Sequence, residues 1–262
     1  MQQEDTKQNR LQKRMETLRL CVVVPTYNNQ KTLADVLNDI LRYTSSIIVV
    51  NDGSTDRTAE TLKHFVGKIE IVSYSRNRGK GYALKTGFDR AEELGYKGAI
   101  TMDSDGQHFA AEIEQFVGYA EKYPDSMLLG QRTTEGNMPG KNSFANKFSN
   151  FWFTVQTTYR FRDTQNGFRL YPLSAMNGLR SFSSRYEAEL EMLVRSAWKG
   201  IRIIPVPTHV YYPPESERIT HFRPVKDFFR ISVLNTLFLI PAFVYGYPSM
   251  FIHRLLTPKK KP

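Results

Sequence analysis

The sequence predicts an α/β fold, a mostly parallel central sheet flanked by helices in a Rossmann-like layout. Three observations carry that prediction. Apolar runs short enough for strands alternate with segments whose apolar residues recur at helical spacing, the connections between them are short, and three of the runs end in oxygen-rich turns, PTYN, NDGSTD and DSDGQ. In such sheets ligands sit beyond the carboxyl ends of the strands, so those three turns are expected side by side at one rim.

Each element can be justified in order. LRLCVVVPTYN opens on a continuous apolar run, the pattern of a strand covered on both faces. KTLADVLNDILRYT then places Leu33, Val36, Leu37, Ile40 and Leu41 on one helical face. SIIVVNDGSTD repeats the buried strand and breaks into Asp-Gly-Ser, and TDRTAETLKHF is a short helix with Thr55 or Asp56 as its N-cap. IEIVSY is a third strand; GKGYALKTGFDRAEELG is a helix stopped by glycine. KGAITMDSDG is a fourth strand, AAEIEQFVGYAEKYP the helix after it, and SMLLGQR a fifth strand.

Bulk properties set the limits. With 262 residues the chain can bury a sizeable core. Its single cysteine, Cys21, excludes an intramolecular disulfide and any cysteine-cluster metal site, and suits a reducing compartment. The net charge of +10 favours an anionic partner: phosphorylated small molecules and an anionic membrane surface fit equally well. No helix-turn-helix, zinc-finger or aromatic-basic RNA motif is present, so nucleic acid is not the expected partner. Residues 1–19 are polar, carry no secretory pattern and are expected as an N-terminal extension.

AITMDSDGQH runs an apolar strand into two aspartates one position apart. Alone, Asp103 and Asp105 could face water and start an Asp-Gly turn. The other reading is a divalent cation, Mg²⁺ or Mn²⁺, held by hard carboxylate oxygens that also grip a phosphate.

VVVPTYNNQKTLADVL, IIVVNDGSTDRTAE, NRGKGYALKTGF and MDSDGQH, in that order, closely resemble the nucleotide-sugar-dependent glycosyltransferases of family 2, which have the GT-A fold. The resemblance covers residues 20 to about 225, the expected catalytic domain. DTQNGFRLY and YEAELEMLVRSAWKGIRIIPVP resemble the branch of dolichyl-phosphate mannose synthase and bacterial polyprenyl-phosphate glycosyltransferases. The resemblance implies that Pro25, Tyr27 and Asn28 surround the nucleotide base and ribose, that Asp52 accepts from base or ribose, and that Ser104 contacts the nucleotide through its backbone. It also implies a divalent cation across the donor diphosphate, with Asp105 the direct ligand, Asp103 nearer the ribose or a metal-bound water, and Gln107 completing the shell. Lys80, between two glycines, can meet a phosphate, and Arg132 matches a basic residue aimed at the donor or acceptor phosphate. Arg169 is expected to pair with Asp163 and hold its loop.

A sugar or lipid hydroxyl acceptor needs a general base, for which Glu189 and Glu191 are candidates; a lipid phosphate, already anionic, needs none. The resemblance implies an inverting transfer from a UDP- or GDP-hexose to a membrane-embedded acceptor such as polyprenyl phosphate. A non-catalytic nucleotide-binding module is the alternative of another class. In PPESERITHFRPVKDF, Arg218 and Thr220 match the acceptor loop of lipid-phosphate members. Residues 226–262 form an apolar segment with a basic tail, and Ile231 to Ile252 carries no charge. Flanking charges and internal prolines favour an interfacial or re-entrant helical segment on the cytoplasmic face of a membrane. KFSNFWFTVQTTYRFR suits either a membrane interface or an aromatic-rich core helix.

Overall fold

The computed structural model describes residues 2–133, 140–179, 181–212 and 224–256. A seven-stranded sheet forms its centre, in the order β3-β2-β1-β4-β6-β5-β7. The five expected strands are β1 (Leu20–Thr26), β2 (Ile47–Asp52), β3 (Glu70–Tyr74), β4 (Gly98–Thr101) and β5 (Met127–Arg132). Two more are added, β6 (Arg169–Tyr171) and β7 (Ile203–Thr208). All pairings are parallel except those of β6, which runs antiparallel between β4 and β5. The order β2-β1-β4 sets the three oxygen-rich turns next to one another, as the sequence predicts.

Strand residues alternate between two cores. Val22, Val24, Ile47, Val49 and Ile100 face α2 (Leu33–Leu41), α3 (Thr58–Lys63) and α5 (Ile113–Lys122). Val23, Ile48, Val50 and Ala99 face α4 (Lys80–Glu93), α6 (Gly140–Thr157), α7 (Leu173–Met176) and α8 (Glu187–Trp198). Residues 2–18, expected only as a polar extension, form helix α1 (Gln2–Leu18), and its Leu11 and Met15, four apart on one face, are buried in the first core. Burying two such side chains stabilises the packed helix by about 1.5–3 kcal/mol each.

The aromatic stretch of α6 lies partly in the core. Phe153 is fully buried in the second core, while Phe151, two residues earlier, is 60% exposed. Beyond β7 the chain continues as α9 (Pro224–Leu237), α10 (Leu239–Pro241), a π-helical turn (Ala242–Gly246) and α11 (Tyr247–Leu256), packed on α6 and α8.

Candidate active site

The site is built where β4 ends against α4 and α8. Gly81 lets α4 cross α8 closely: a Cβ there would lie 2.3 Å from the Ala188 methyl. That crossing brings Lys80, the first residue of α4, to Glu189 in the first turn of α8. The Lys80 Nζ donates to Asp103 Oδ1 at 2.7 Å and to Glu189 Oε2 at 2.9 Å. Burial works against the ammonium, but the two carboxylates outweigh it and hold the Lys80 pKa above its ordinary value. Burial likewise opposes the Asp103 carboxylate, and Lys80 more than offsets it, lowering the Asp103 pKa.

Asp105 stands differently. Its Oδ1 accepts from the Gln107 backbone N–H at 3.0 Å, closing the Asp-Gly turn over Gly106 at φ +78°. Burial, then the neighbouring charge of Asp103, push its pKa up to about 6. Behind the turn, the His108 ring packs on Phe168 at 5.2 Å; burial lowers its pKa to about 4, so it is neutral at pH 7. His108 is therefore packing beneath the loop, and its Nδ1 has no hydrogen-bond partner among the described residues. The Gln107 carbonyl accepts from Tyr211 N–H at 2.9 Å, which ties the chain after β7 to the same rim.

The DTQNGF loop closes the far side. Thr101 Oγ1 donates to the Gly167 carbonyl at 2.7 Å, setting Gly167 against Asp103. A Cβ on Gly167 would lie 2.5 Å from Asp103 Oδ2 and 3.1 Å from Lys80 Nζ. A methyl there has to push the Lys80–Asp103 pair aside, so Gly167→Ala should lower both the melting temperature and turnover, the latter by an expected tenfold or so (about 1.4 kcal/mol of barrier). Unchanged turnover and melting temperature refute the contact's importance.

Several residues expected to meet the nucleotide also hold the rim together. Asp52 accepts from Asn77 Nδ2 (2.9 Å), Gly79 N–H (2.8 Å) and Arg78 N–H (2.7 Å), so its carboxylate holds the loop before α4. Gly53 follows it at φ +64°, against the Arg76–Asn77 backbone, where a side chain has no room. Asn28, at φ +50°, accepts from Thr55 N–H through Oδ1 at 2.8 Å and locks the first rim turn to the second. Ser104 Oγ donates to the Pro25 carbonyl, and the Ser104 carbonyl itself accepts from Thr32 Oγ1 at 2.6 Å. Pro25 is buried within β1, and Tyr27 is half-buried on the loop beyond it. Asp56 Oδ1 accepts from Thr58 N–H at 3.0 Å, the local capping role expected of it.

Arg132 and Arg169 brace the loop and the helix behind this rim. Arg132 grips Asp163 with both arms of its fork, Nε to Oδ2 at 2.5 Å and Nη2 to Oδ1 at 2.7 Å, and reaches the Tyr212 hydroxyl with Nη1. Its guanidinium thus closes the DTQNGF loop with three of its five N–H donors. Arg169, expected to pair with Asp163, instead donates to the carbonyls of Asn166, Thr164 and Glu189 from full burial. It braces α8 where Glu189 meets Lys80. Glu191 points away from the rim: it accepts from Phe182 and Ser183 N–H and Ser181 Oγ, each at 2.8 Å, and pairs with Arg195 at 3.1 Å. Those donors anchor the loop before α8 and leave Glu191 unsuited to act as a base. Arg218 and Thr220 lie outside the described residues.

The described residues thus bring together Asp103, Asp105, Lys80, Glu189 and Gly167 on one rim. Nothing local in the sequence joins Lys80 to Glu189; only the α4–α8 crossing does.

The family model for glycosyl transferase family 2 matches residues 21–183. The chain belongs to that family. Among curated relatives, a glycosyltransferase of Haloferax volcanii, AglJ, is 28% identical over 79% of this chain and 68% of its own. A UDP-N-acetylglucosamine–dolichyl-phosphate N-acetylglucosaminyltransferase of Methanococcus voltae is 27% identical over 73% of this chain and 85% of its own. The mouse dolichyl-phosphate β-glucosyltransferase is 29% identical over 68% of this chain and 62% of its own. Among solved structures, glucosyl-3-phosphoglycerate synthase of Mycobacterium tuberculosis, crystallised with Mg²⁺ and UDP, superposes with a TM-score of 0.66 at 17% identity, over 90% of this chain and 83% of that one. The protein is a glycosyltransferase with the GT-A fold, and its relatives are consistent with the polyprenyl-phosphate branch.

Proposed function

We propose that the chain, through residues 20–225, moves a hexose from a UDP- or GDP-sugar to a membrane-embedded polyprenyl phosphate, inverting the anomeric centre with the help of a divalent cation. One observation supports this most: two carboxylates, Asp103 and Glu189, share a single ammonium, Lys80, and the charge of Asp103 also reaches a third, Asp105. A donor diphosphate entering that rim meets net negative charge, so a cation is needed to join the two. The donor set fits Mg²⁺ or Mn²⁺, which bind through one or two carboxylates and fill the remaining positions with phosphate oxygens and water. Asp105 is the carboxylate available to hold it, because Asp103 is already neutralised by Lys80; Gln107 lies in the same turn. When bound, the cation offsets the charge that builds on the leaving nucleoside diphosphate.

Lys80 keeps Asp103 ionised, and Arg169 fixes the α8 turn that carries Glu189. One oxygen of the acceptor phosphate attacks the anomeric carbon as the bond to the nucleoside diphosphate breaks. No proton has to be removed from that oxygen, and the Lys80-bound Glu189 is then a positioning group. Relatives whose names give dolichyl phosphate as acceptor support this reading over a hydroxyl acceptor. A second reading has one observation in its favour: Glu189 Oε1 is buried with no hydrogen-bond partner among the described residues, so it could receive a hydroxyl proton.

Glu189→Gln separates the two. With a phosphate acceptor, turnover should change by less than roughly tenfold, whereas loss of a general base costs about 10²–10⁴-fold. The direct test of the donor site is the melting temperature of the purified protein with UDP or GDP, with and without Mn²⁺. A shift that needs both nucleotide and Mn²⁺ is expected; no shift with either nucleotide overturns the proposal.

A further inference from the structure

Asn28 and Asn29 are neighbours of identical chemistry in different surroundings. Asn28 is half-buried and reaches Thr55 in the second rim turn, whereas Asn29 is 6% exposed and turns inward. Its main chain is fixed on both sides. The Asn29 N–H donates to Thr58 Oγ1 at 3.0 Å, at the head of α3, and its carbonyl accepts from Leu33 N–H at 3.1 Å, at the head of α2. With the backbone held by two helices, the side chain projects from a rigid base. Its Nδ2 donates to Ser104 Oγ at 2.5 Å, and that hydroxyl donates in turn to the Pro25 carbonyl at 3.2 Å. Asn29 thus joins all three rim turns.

The residue it holds stands between the two rim aspartates. Ser104 is buried, while Asp103 and Asp105 on either side of it are half-buried. One face of α2 grips the same stretch further along. Thr32 Oγ1 donates to the Ser104 carbonyl at 2.6 Å, a Cβ on Gly106 would lie 4.0 Å from Val36 Cγ2, and Asp39 Oδ2 accepts from Ala110 N–H at 3.3 Å. Asp105 itself has, among the described residues, only the Gln107 N–H as a hydrogen-bond partner, so its aim is inherited from the main chain around it. The hydrogen-bond direction is fixed too. A hydroxyl carries one proton, and Ser104 gives it to Pro25, so Asn29 has to supply a donor. Meanwhile Asn29 Oδ1 is buried with no hydrogen-bond partner among the described residues. An unpaired buried acceptor disfavours the fold, and a leucine of similar shape would avoid it. Stability alone therefore does not explain an asparagine here; the bond to Ser104 does.

From this we infer that Asn29 is a positioning residue for the rim carboxylates. By fixing Ser104 it sets the direction in which Asp105 presents its oxygens and the gap between Asp105 and the Lys80-bound Asp103. It touches neither cation nor nucleotide and acts only through Ser104. The inference rests on the proposed reading of this rim as a site for a divalent cation and a nucleotide, and it names what holds the cation's carboxylate in place.

The test is calorimetric titration of the purified full chain with Mn²⁺ in the presence of UDP or GDP, joined to the electron paramagnetic resonance spectrum of the bound Mn²⁺. The wild type is compared with Asn29→Leu, Ser104→Ala and the double variant. Asn29→Leu keeps the branched shape and removes the unpaired acceptor, so its ligand-free melting temperature should stay near that of the wild type. Ser104→Ala removes a single oxygen and carries the test should the leucine variant not fold. Each single variant should bind Mn²⁺ about 10–100-fold more weakly, the range for groups that orient a metal's ligands, and should alter the spectrum. The double variant should lose no more than the weaker-binding single one, because both changes break the same bond. Losses that add in the double variant would mean that Asn29 meets the nucleotide itself. A lowered melting temperature with unchanged Mn²⁺ affinity and spectrum would mean structural support only; either result overturns the inference. A wild type that binds no Mn²⁺ with either nucleotide removes the cation reading and this inference with it. Wild-type binding matched by both single variants removes the inference alone.

Discussion

Asp105→Ala should lose turnover by roughly 10²–10³-fold, the several kcal/mol of charge stabilisation that a bound cation supplies. It should also lose the Mn²⁺-dependent part of nucleotide binding. The fold should survive, because among the described residues the Asp105 carboxylate makes one hydrogen bond, within its own turn, and burial together with Asp103 already disfavours its charged form. The sign follows from linkage. The carboxyl is raised from 3.8 to about 6 in the folded protein, so its ionisation weakens the fold increasingly as pH climbs through that window and by a constant amount above it. The alanine variant lacks that penalty, and its melting temperature relative to the wild type should therefore rise between pH 4 and pH 7. Full activity in the variant would remove Asp105 from the site.

The same value predicts how cation binding depends on pH. Cation and proton compete for one carboxylate, so affinity for Mn²⁺ plus nucleotide should rise by up to about tenfold per pH unit below pH 6 and level off above it. Calorimetric titration at several pH values reads this directly. A flat profile through pH 6 would mean that another group holds the cation.

The parts of this molecule legible in its sequence are those governed by local patterning. β1 to β5 were readable because each is an apolar run bounded by turn residues, and their order follows from short β-α connections. β6 has only three residues and follows a polar loop, so no periodicity announces it, although it carries the fully buried Arg169 and turns the sheet locally antiparallel. In α1 the pair Leu11 and Met15 is a weak signal within a polar stretch, enough to pack a helix but too little to predict one. At the rim, residue type identified the chemistry and not the partner. An aspartate ending a strand can serve a ligand or a loop with the same oxygens, and Asp52 serves the backbone N–H groups of Arg78 and Gly79. Arg132 and Asp163 were each readable as charged groups near a site, but their pairing depends on the β5–β6 register, which the sequence does not display.

Lys80→Met should be the most damaging single change to the fold at this site. Methionine nearly matches the length of the lysine stem, so the volume is kept and only the ammonium is lost. Asp103 and Glu189 then face each other, half-buried and buried, without the cation that bridges them at 2.7 and 2.9 Å. Removing one partner from a buried ion pair costs about 3–5 kcal/mol, which for a chain of this size lowers the melting temperature by roughly 10 °C. The pH dependence distinguishes this cause from a packing defect. In the wild type Lys80 lowers the Asp103 pKa, so the stability it contributes is present above the unfolded carboxylate value and is lost as pH falls through the folded one. In the variant the two carboxylates relieve their repulsion by taking up a proton, so the gap in melting temperature should be wide at pH 8 and narrow at pH 5. A gap that is constant across that range would assign the loss to packing, and Lys80 would no longer be the charge that organises the rim. Lys80→Arg gives the complementary control: it keeps the charge but brings a planar fork where the ammonium reaches two carboxylates as a point, so stability should recover further than turnover.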